Sequence, residues 1–506
     1  MKSTWHRREI LRLALASAGA GWLPRSSWAQ PRFTSNPFAL GVASGSPLAD
    51  SVVLWTRLVG DLPASAITVQ WEVADDDRFT RVVQRGQQQA MPELAHSVHA
   101  EVSGLAPDRW YFYRFMVGDA TSATGRTRTM PAPGASPSRL RLSYASCQRW
   151  DHGYFNSYRH MLKEDLDFVF FLGDYIYEYA NSANSVRVPT RGTVLTLDDY
   201  RARYALHRSE ADLQAMHAAC PWIVTWDDHE VQNDYAGLTA GSGTQVADFA
   251  ARRAAAYQAY YEHMPLRAQA LSQTRLYSEQ RFGKLANIVI LDDRQYRDAQ
   301  VCNPNGRLGS STLDRRSCDV WDDPKRTLLG AAQEQWLDGV LAKGDATWTI
   351  FGQQTLFGER NFRPAPDRVL WNDGWDGYSA ARKRFTDSLQ RHKAPNPVLL
   401  GGDVHENWVG HVKADYAKPD SAAIGIELCG TSITSRSSSY DVNAALAANP
   451  HFIFADQRKG YGVVEFTPAG LSAKLRAVED VTKPETRIET LASFVAGAGR
   501  PRIERA

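Results

Sequence analysis

Side chains that can bind metal ions or exchange protons directly follow five apolar segments of this 506-residue chain. The five endings are Ser146-Cys147-Gln148, Gly173-Asp174-Tyr175-Ile176-Tyr177-Glu178, Trp226-Asp227-Asp228-His229-Glu230, Asp292-Asp293-Arg294 and Gly401-Gly402-Asp403-Val404-His405. Thiolate, phenolate, carboxylate and imidazole ligands together suit a transition metal, whereas a carboxylate and amide remainder suits Ca²⁺ or Mg²⁺. Two neighbouring cations bridged by one carboxylate would bind an anionic phosphoryl group and support in-line attack on phosphorus.

Each ending, taken alone, also fits an ordinary structural role. A Gly-Asp pair commonly forms a turn, Asp403 and His405 could form a hydrogen-bonded pair in the core, and Cys147 could be a small buried apolar side chain. Residues 226–230 could also form the cap of a helix. Five such endings in one chain favour a shared site, because clustered carboxylates repel one another unless a cation neutralises them.

The elements that must position these residues follow a proline-rich stretch at 131–137, which indicates a linker and a domain boundary. Beyond it, strand-like apolar runs alternate with helix-compatible stretches, which predicts an α/β domain over 138–506. The runs are 140–145, 168–172, 222–225, 288–291, 348–351 and 398–400, and the helical stretches are 197–219, 246–263, 331–341 and 378–392. Antiparallel strands are predicted near the end, at 424–428, 462–466 and 471–475, with a turn at 467–470, and residues 486–505 could be partly helical. Ligands bind beyond the carboxyl ends of strands in α/β sheets, so the five endings should converge.

The segment 33–131 has the pattern of an all-β domain. Ile67, Val69, Trp71 and Val73 alternate with polar neighbours, as a half-buried strand requires. A turn at 104–107 then leads into the alternating aromatic residues of 110–115. This order and the length of the segment are typical of an immunoglobulin/fibronectin III-like sandwich.

Charge and cysteine content limit the possible partners and indicate the compartment. Lys plus Arg number 58 and Asp plus Glu 56, and this balance argues against a broad nucleic-acid-binding surface. Arg7 and Arg8 precede an apolar stretch that is too short to span a membrane, and residues 1–29 resemble a twin-arginine export signal. The sequence therefore predicts a periplasmic or secreted protein. An oxidising compartment favours a disulfide between Cys302 and Cys318.

The motifs together resemble those of the PhoD-type alkaline phosphatase family. The resemblance rests on Asn36-Pro37-Phe38-Ala39-Leu40-Gly41-Val42-Ala43-Ser44-Gly45-Ser46-Pro47, on Val53-Leu54-Trp55-Thr56-Arg57, and on the endings that contain Cys147, Asp174, Asp228 and Asp403. It implies an N-terminal β-sandwich domain followed by a four-layer αββα metallophosphoesterase-like catalytic domain. It also implies hydrolysis of phosphate monoesters, and often of diesters, outside the cytoplasm, with one ferric ion and one or two Ca²⁺ ions.

Carried over residue by residue, the resemblance assigns the ferric site to Cys147, Asp174, Tyr177, Asp403 and His405. Asp174 would bridge to Ca²⁺, whose other ligands would come from Asp228, Asn233 and the Gln353/Gln354 pair. Asp174, His229 and Arg294 would be catalytic, with His229 and Arg294 contacting phosphate. A structural salt bridge is the alternative for Arg294. Asp293 stands where family members commonly carry Thr, and a charged Asp293 would weaken the attraction for phosphate there.

The predicted function is that of an exported phosphoesterase in which a metal-bound hydroxide or oxide displaces the ester oxygen at phosphorus. A phosphodiesterase or phospholipase D acting at the same metal site is the alternative. A non-catalytic Ca²⁺-binding surface protein is a third possibility, but Ca²⁺ requires none of Cys147, Tyr177 and His405. The expected partners are small-molecule or lipid phosphate esters and the twin-arginine export machinery; no specific nucleic-acid or protein partner is predicted.

Overall fold

A computed structural model describes residues 33–180, 184–268, 275–364, 366–418 and 420–506. The predicted export signal at 1–29 lies outside the described residues. The chain forms two compact units: the first comprises the chain as far as Ala132 with Thr196–Ile223 and Ala254–Arg275, and the second comprises Pro133–Leu195, Val224–Arg253 and Leu276–Ala506. Across the described ranges, no helix has the length and apolar character needed to cross a bilayer.

The first unit contains the β-strands expected in the N-terminal segment. They are β1 (Val42–Gly45), β2 (Ser51–Arg57), β3 (Ile67–Ala74), β4 (Val82–Ala90), β5 (Ser97–Ser103), β6 (Trp110–Val117), β7 (Ala120–Thr121) and β8 (Gly125–Arg128). β2 pairs with β1 and β5, while β3 pairs with β4 and β6. Alternate residues such as Val52, Leu54, Val69, Val73 and Tyr113 pack into one shared apolar core. The predicted strand alternation is therefore confirmed.

The turn that precedes β6 is closed by a tyrosine. The hydroxyl of Tyr111 accepts a hydrogen bond from the backbone N–H of Ala106 at 2.9 Å. This contact fixes the start of β6 against the turn that the sequence placed at 104–107.

The second unit is built around two sheets. Its strands are β9 (Leu140–Ala145), β10 (Phe168–Phe171), β12 (Ser278–Phe282), β13 (Ala286–Ile290), β14 (Thr312–Asp314), β15 (Trp348–Gly352), β16 (Val369–Trp371), β17 (Pro397–Gly401), β18 (Asn407–Lys413), β19 (Ala423–Cys429), β20 (Phe452–Asp456), β21 (Gly460–Phe466), β22 (Gly470–Val478), β23 (Ile488–Gly497) and β24 (Glu504–Arg505). In β11 (Trp222–Val224), only the last residue, Val224, belongs to the second unit. One sheet has the order β12-β13-β15-β17-β19-β18-β20, and within the unit the other has β24-β23-β22-β21-β9-β10. The pairs β9–β10, β13–β15, β15–β17 and β17–β19 are parallel, so their carboxyl ends lie at common sheet edges.

The two sheets of the second unit face each other closely. A Cβ atom at Gly352 of β15 would lie 1.8 Å from the Phe170 ring of β10, so no larger residue fits there. The indole N–H of Trp348 donates to the carbonyl of Thr467 at 2.8 Å, which joins β15 to the end of β21. This packing sets the position of the strand ends that carry the candidate ligands.

The helices that the structure describes are α1 (Asn156–Met161), α2 (Leu197–Arg208), α3 (Ala211–Ala219), α4 (Phe249–His263), α5 (Ala331–Leu341), α6 (Ser379–Arg391) and α7 (Val442–Ala448). The predicted helical stretches at 246–263, 331–341 and 378–392 each contain a helix, the stretch at 197–219 contains two, and α1 and α7 lie outside every predicted stretch. The helix-compatible stretch over 197–219 is helical but divided: Ser209 caps the end of α2, and Glu210 has extended backbone before α3 begins. The Ser209 hydroxyl donates to the Leu206 carbonyl, a local bond that competes with helix continuation.

The expectation of partial helix over 486–505 was wrong. Residues 488–497 form β23, which pairs antiparallel with β22. Buried Ala492, Phe494 and Ala496 alternate with more exposed neighbours, a period that fits a strand with one covered face.

Candidate metal centre

The polar endings of β9, β10 and β17 turn sharply at the predicted metal ligands. Cys147, Asp174, Asp403 and His405 all have left-handed backbone, with φ of 59°, 56°, 65° and 59°. Each such residue costs roughly 1–2 kcal/mol, and non-glycine residues of this kind cluster at functional sites. Gly173 precedes Asp174, and a Cβ atom there would lie 2.4 Å from Cβ of Asp227. Close approach of these two strand ends therefore requires glycine.

A first group of ligands contains Cys147, Asp174 and His405. One potential ligand atom from each lies within 4.8 Å of the other two. The phenol of Tyr177 donates to Oδ2 of Asp174 at 2.7 Å and lies 3.0 Å from Nε2 of His405. Four of the five residues predicted for the ferric site are therefore in mutual reach. The fifth, Asp403, is buried close enough to Cys147 to raise the pKa of that thiol.

The segment between β19 and α7 holds this first group in place, and the sequence reasoning missed it. Nδ1 of His405 donates to the carbonyl of Arg436 at 2.8 Å, which leaves Nε2 facing Tyr177. The hydroxyl of Ser435 lies 2.8 Å from both the Tyr177 phenol and the Cys147 carbonyl. The richness of this segment in Ser and Thr was the signal available in the sequence.

A second group contains Asp174, Asp228 and His229, whose ligand atoms also lie within 4.8 Å of one another. Asp174 thus belongs to both groups. Nδ1 of His229 donates to Glu178 at 2.7 Å, and the His229 ring lies against the Tyr177 ring with centroids 4.0 Å apart. Oδ2 of Asp228 accepts the backbone N–H of Asp234 at 2.6 Å.

Arg294 lies among carboxylates. Its Nε donates to Asp227 and its Nη1 to Asp373 at 2.6 Å, while Nη2 is 3.7 Å from Asp228 and 3.8 Å from Asp403. The guanidinium therefore forms structural ion pairs, which were the alternative to a phosphate contact. Nη2 differs from Nε and Nη1 because its carboxylate contacts are longer than hydrogen bonds. Asp228 also forms a third carboxylate group with Asp234 and Asp373, residues that the strand-end argument did not include.

The amide residues predicted as calcium ligands already make hydrogen bonds. Asn233 donates its amide to Ser242 at 2.7 Å. Gln353 accepts from the Trp375 indole at 3.0 Å and donates to Thr355, and Gln354 accepts the Asp293 N–H at 3.1 Å. Their role toward calcium stays a prediction.

Comparisons with known proteins agree over nearly the whole chain. Residues 142–475 match the family model described as PhoD-like phosphatase, and residues 24–131 match that of its N-terminal domain. This chain belongs to the PhoD-like phosphatase family. It is 45% identical over 485 residues to alkaline phosphatase D of Bacillus subtilis (strain 168), an alignment that covers 92% of this chain and 82% of that protein. A solved structure of PhoD matches with a TM-score of 0.89 at 44% identity, covering 94% of this chain and 93% of that one. The resemblance and the prediction of a phosphoric ester hydrolase are confirmed.

Burial makes the ionised forms of the ligands in this PhoD-like site unfavourable. Burial raises the pKa of Asp174, Asp403, Cys147 and Tyr177 well above their ordinary values, and nearby carboxylates raise it further. Burial alone would also raise the pKa of Asp228, but the charges of Arg294 and His229 outweigh it and lower that pKa. An added cation would favour the ionised forms of the thiol, the phenol and the carboxylates.

Unpartnered oxygen atoms test whether metal ions fit this PhoD-like site. Oδ2 of Asp227, Oδ1 of Asp228 and Oδ2 of Asp403 are buried and accept no hydrogen bond from the described parts of the chain. A buried carboxylate oxygen without a partner is costly, and a cation would satisfy it. The donor set therefore fits metal binding.

The expected repulsion between a charged Asp293 and phosphate depends on the protonation state of this carboxyl. Burial, and then the charge of Asp227, raise the pKa of Asp293 to about 8. A carboxyl with this pKa is mostly protonated at neutral pH, so it would carry little charge near Arg294.

Proposed function

We propose that this phosphatase is an exported, metal-dependent enzyme that hydrolyses phosphate monoesters and also diesters. The observation that carries the proposal is the position of Asp174, which has a carboxylate oxygen within 4.8 Å of ligand atoms of Cys147 and His405 and also belongs to such a group with Asp228 and His229. One carboxylate shared by two ligand groups of different chemistry fits a pair of unlike cations.

The residues suited to a ferric ion are Cys147, Asp174, Tyr177, Asp403 and His405. Asp174 and Asp228, with Asn233 and Gln353, are proposed to hold one or two Ca²⁺ ions. Bound cations would act as Lewis acids, lowering the pKa of a coordinated water and neutralising the phosphoryl oxygens.

His229 is placed to act on the phosphate or on the leaving group. Its Nδ1 is bonded to Glu178, which fixes the ring, and its Nε2 makes no hydrogen bond with any described residue. Burial lowers the pKa of His229, but the carboxylates of Asp174, Asp228 and Glu178 outweigh burial and raise it well above its ordinary value. A protonated Nε2 can donate a hydrogen bond to a phosphoryl or leaving-group oxygen. Nη2 of Arg294 would be a second donor to the phosphate.

We infer that the two units have the finer architecture that the family implies. An immunoglobulin/fibronectin III-like sandwich over 33–131 is supported by the two strand sets that share one core and by the contact between Tyr111 and Ala106. A four-layer αββα catalytic domain over 138–506 is supported by the two facing sheets and by the packing of α5 and α6 on the outer side of β13, β15 and β17.

Export to the periplasm or the cell exterior is proposed from the twin-arginine pattern at Arg7 and Arg8. The disulfide between Cys302 and Cys318 is present, with Cα atoms 5.8 Å apart, and disulfides persist in oxidising compartments. Replacing both arginines by lysine should retain the protein in the cytoplasm, as measured by cell fractionation. An unchanged distribution would contradict this route.

The metal and substrate assignments can be tested with a matched pair of cysteine variants. Cys147 and Cys220 are both buried and outside the disulfide, and of the two only Cys147 belongs to a candidate ligand group among the described residues. We expect Cys147→Ser to lose iron and phosphatase activity, and Cys220→Ser to keep both. Equal loss in the two variants would contradict the assignment. Relative rates on a bis-aryl and a mono-aryl phosphate measure the preference between diesters and monoesters, and absence of bis-aryl hydrolysis would refute the diester activity.

A further inference from the structure

The backbone carbonyl of His405 accepts three hydrogen bonds. The donors are the hydroxyl of Thr431 at 3.1 Å, the hydroxyl of Ser437 at 2.7 Å and the ammonium of Lys459 at 2.8 Å. This carbonyl belongs to a residue with left-handed backbone, a conformation that is uncommon for residues other than glycine and that surrounding contacts help to hold. The three donors therefore act on the point of the chain that sets the direction of the His405 ring.

Lys459 differs from the other two donors in charge and in origin. Its ammonium also contacts the Ser437 hydroxyl at 2.5 Å, and within the described ranges it forms no ion pair with a carboxylate. Burial lowers the pKa of Lys459 to about 8. A buried ammonium loses hydration, and a carbonyl and a hydroxyl replace it only in part. The contact between Lys459 and His405 is therefore made at a cost that surface lysines do not bear.

The position of Lys459 in the fold explains what this contact can do. Lys459 directly precedes β21, whereas His405 lies between β17 and β18 and Ser437 follows β19. The ring of His405 is held separately, through Nδ1 and the carbonyl of Arg436. With the carbonyl and the ring both anchored, Nε2 can face only toward Tyr177 and the first ligand group.

We propose that Lys459 is a positioning residue that fixes the backbone of His405 and thereby the direction of its metal-binding nitrogen. The inference rests on the proposed ferric site. Residues that orient metal ligands typically contribute about 10–100-fold to metal affinity or activity.

The test measures the rate at which iron leaves the full-length protein in excess chelator, followed by the visible absorption band. Lys459→Met removes the ammonium at similar length, Lys459→Arg keeps a charged donor, and Lys474→Met is the control, because Lys474 is an exposed lysine on the neighbouring strand β22. We expect iron to leave Lys459→Met about 10–100-fold faster than the wild type. Lys459→Arg should release iron at a rate close to that of the wild type, and Lys474→Met should release it at the wild-type rate.

The possible outcomes separate this inference from the proposed function. If wild-type protein binds iron and Lys459→Met releases it at the wild-type rate, the positioning role is refuted while the ferric site stands. Slower iron release from Lys459→Met would also refute the positioning role, because it would show that the main effect of the ammonium is to repel the iron cation. If the wild type binds no iron, the ferric site itself fails. Ser437→Ala removes an uncharged donor to the same carbonyl of His405 and should also accelerate iron release. If Lys459→Met does not fold, the release rate of Ser437→Ala decides whether anchoring of this carbonyl positions His405.

Discussion

Replacing Arg294 by alanine should destabilise the protein and make its stability depend more strongly on calcium. The Arg294 side chain is 1% exposed and pairs with Asp227 and Asp373, with Asp228 and Asp403 at 3.7 and 3.8 Å. Removing one partner of a buried ion pair typically costs 3–5 kcal/mol, because the other charge stays buried without compensation. Asp373 retains Arg297, so we expect a loss near the lower end, about 3 kcal/mol.

The assay is urea unfolding of full-length wild type and variant, each with chelator and with excess Ca²⁺. A cation that binds only the folded state stabilises that state by about 2.7 kcal/mol when its concentration is about a hundred times its dissociation constant. The variant should gain more from Ca²⁺ than the wild type, since its site has lost one positive charge. Arg139→Ala is the control, because Arg139 pairs with Asp165 at 3.0 Å with both side chains well exposed, and such pairs contribute about 1 kcal/mol or less.

The reasoning would be refuted by two results. One is an Arg294→Ala variant that loses no more stability than Arg139→Ala. The other is a variant whose stability does not respond to Ca²⁺, which would mean that these carboxylates do not require a cation.

Three further predictions concern the disulfide, the pH dependence and the bridging carboxylate. Replacing Cys302 and Cys318 by serine should remove about 3 kcal/mol from the free energy of unfolding, by loop entropy, and an unchanged thermal midpoint would contradict this. Burial raises the pKa of Asp234 to about 7 and that of Glu230 to about 8. The unfolded chain releases these protons at lower pH, so chelator-treated protein should lose stability as pH rises from about 4 to 8 in a thermal-melt series; a gain in stability would refute the shifts. Asp174→Asn should lower phosphatase activity more than about 100-fold and release both metals, whereas retention of either metal at full occupancy would contradict bridging.

The strand ends and the candidate metal ligands that follow them could be identified from the sequence because the signals are local. Cys147, Asp174, Asp228 and Asp403 each lie within three residues of the end of an apolar run, and in each sheet the ends of parallel strands meet at a common edge. The alternation of apolar residues in β3 was equally direct. These features required no knowledge of distant contacts.

The residues that hold the ligands could not be predicted in this way, because their roles depend on contacts between distant parts of the chain. Ser435 and Tyr177 are 258 positions apart, and Lys459 and His405 are 54 positions apart. Asp373 follows β16, which was not among the predicted strand-like runs, so the strand-end argument missed it; its place is shown by its pairs with Arg294 and Arg297 and by its group with Asp228 and Asp234. The break between α2 and α3 lies at Ser209 and Glu210, within a helical pattern that contains no proline or glycine.

Metal analysis of purified full-length protein, with its visible absorption spectrum, tests the central claim most directly. Coordination of ferric iron by the phenolate of Tyr177 predicts bound iron and calcium and a visible charge-transfer band that Tyr177→Phe abolishes. A colourless, iron-free preparation with full phosphatase activity would contradict the account.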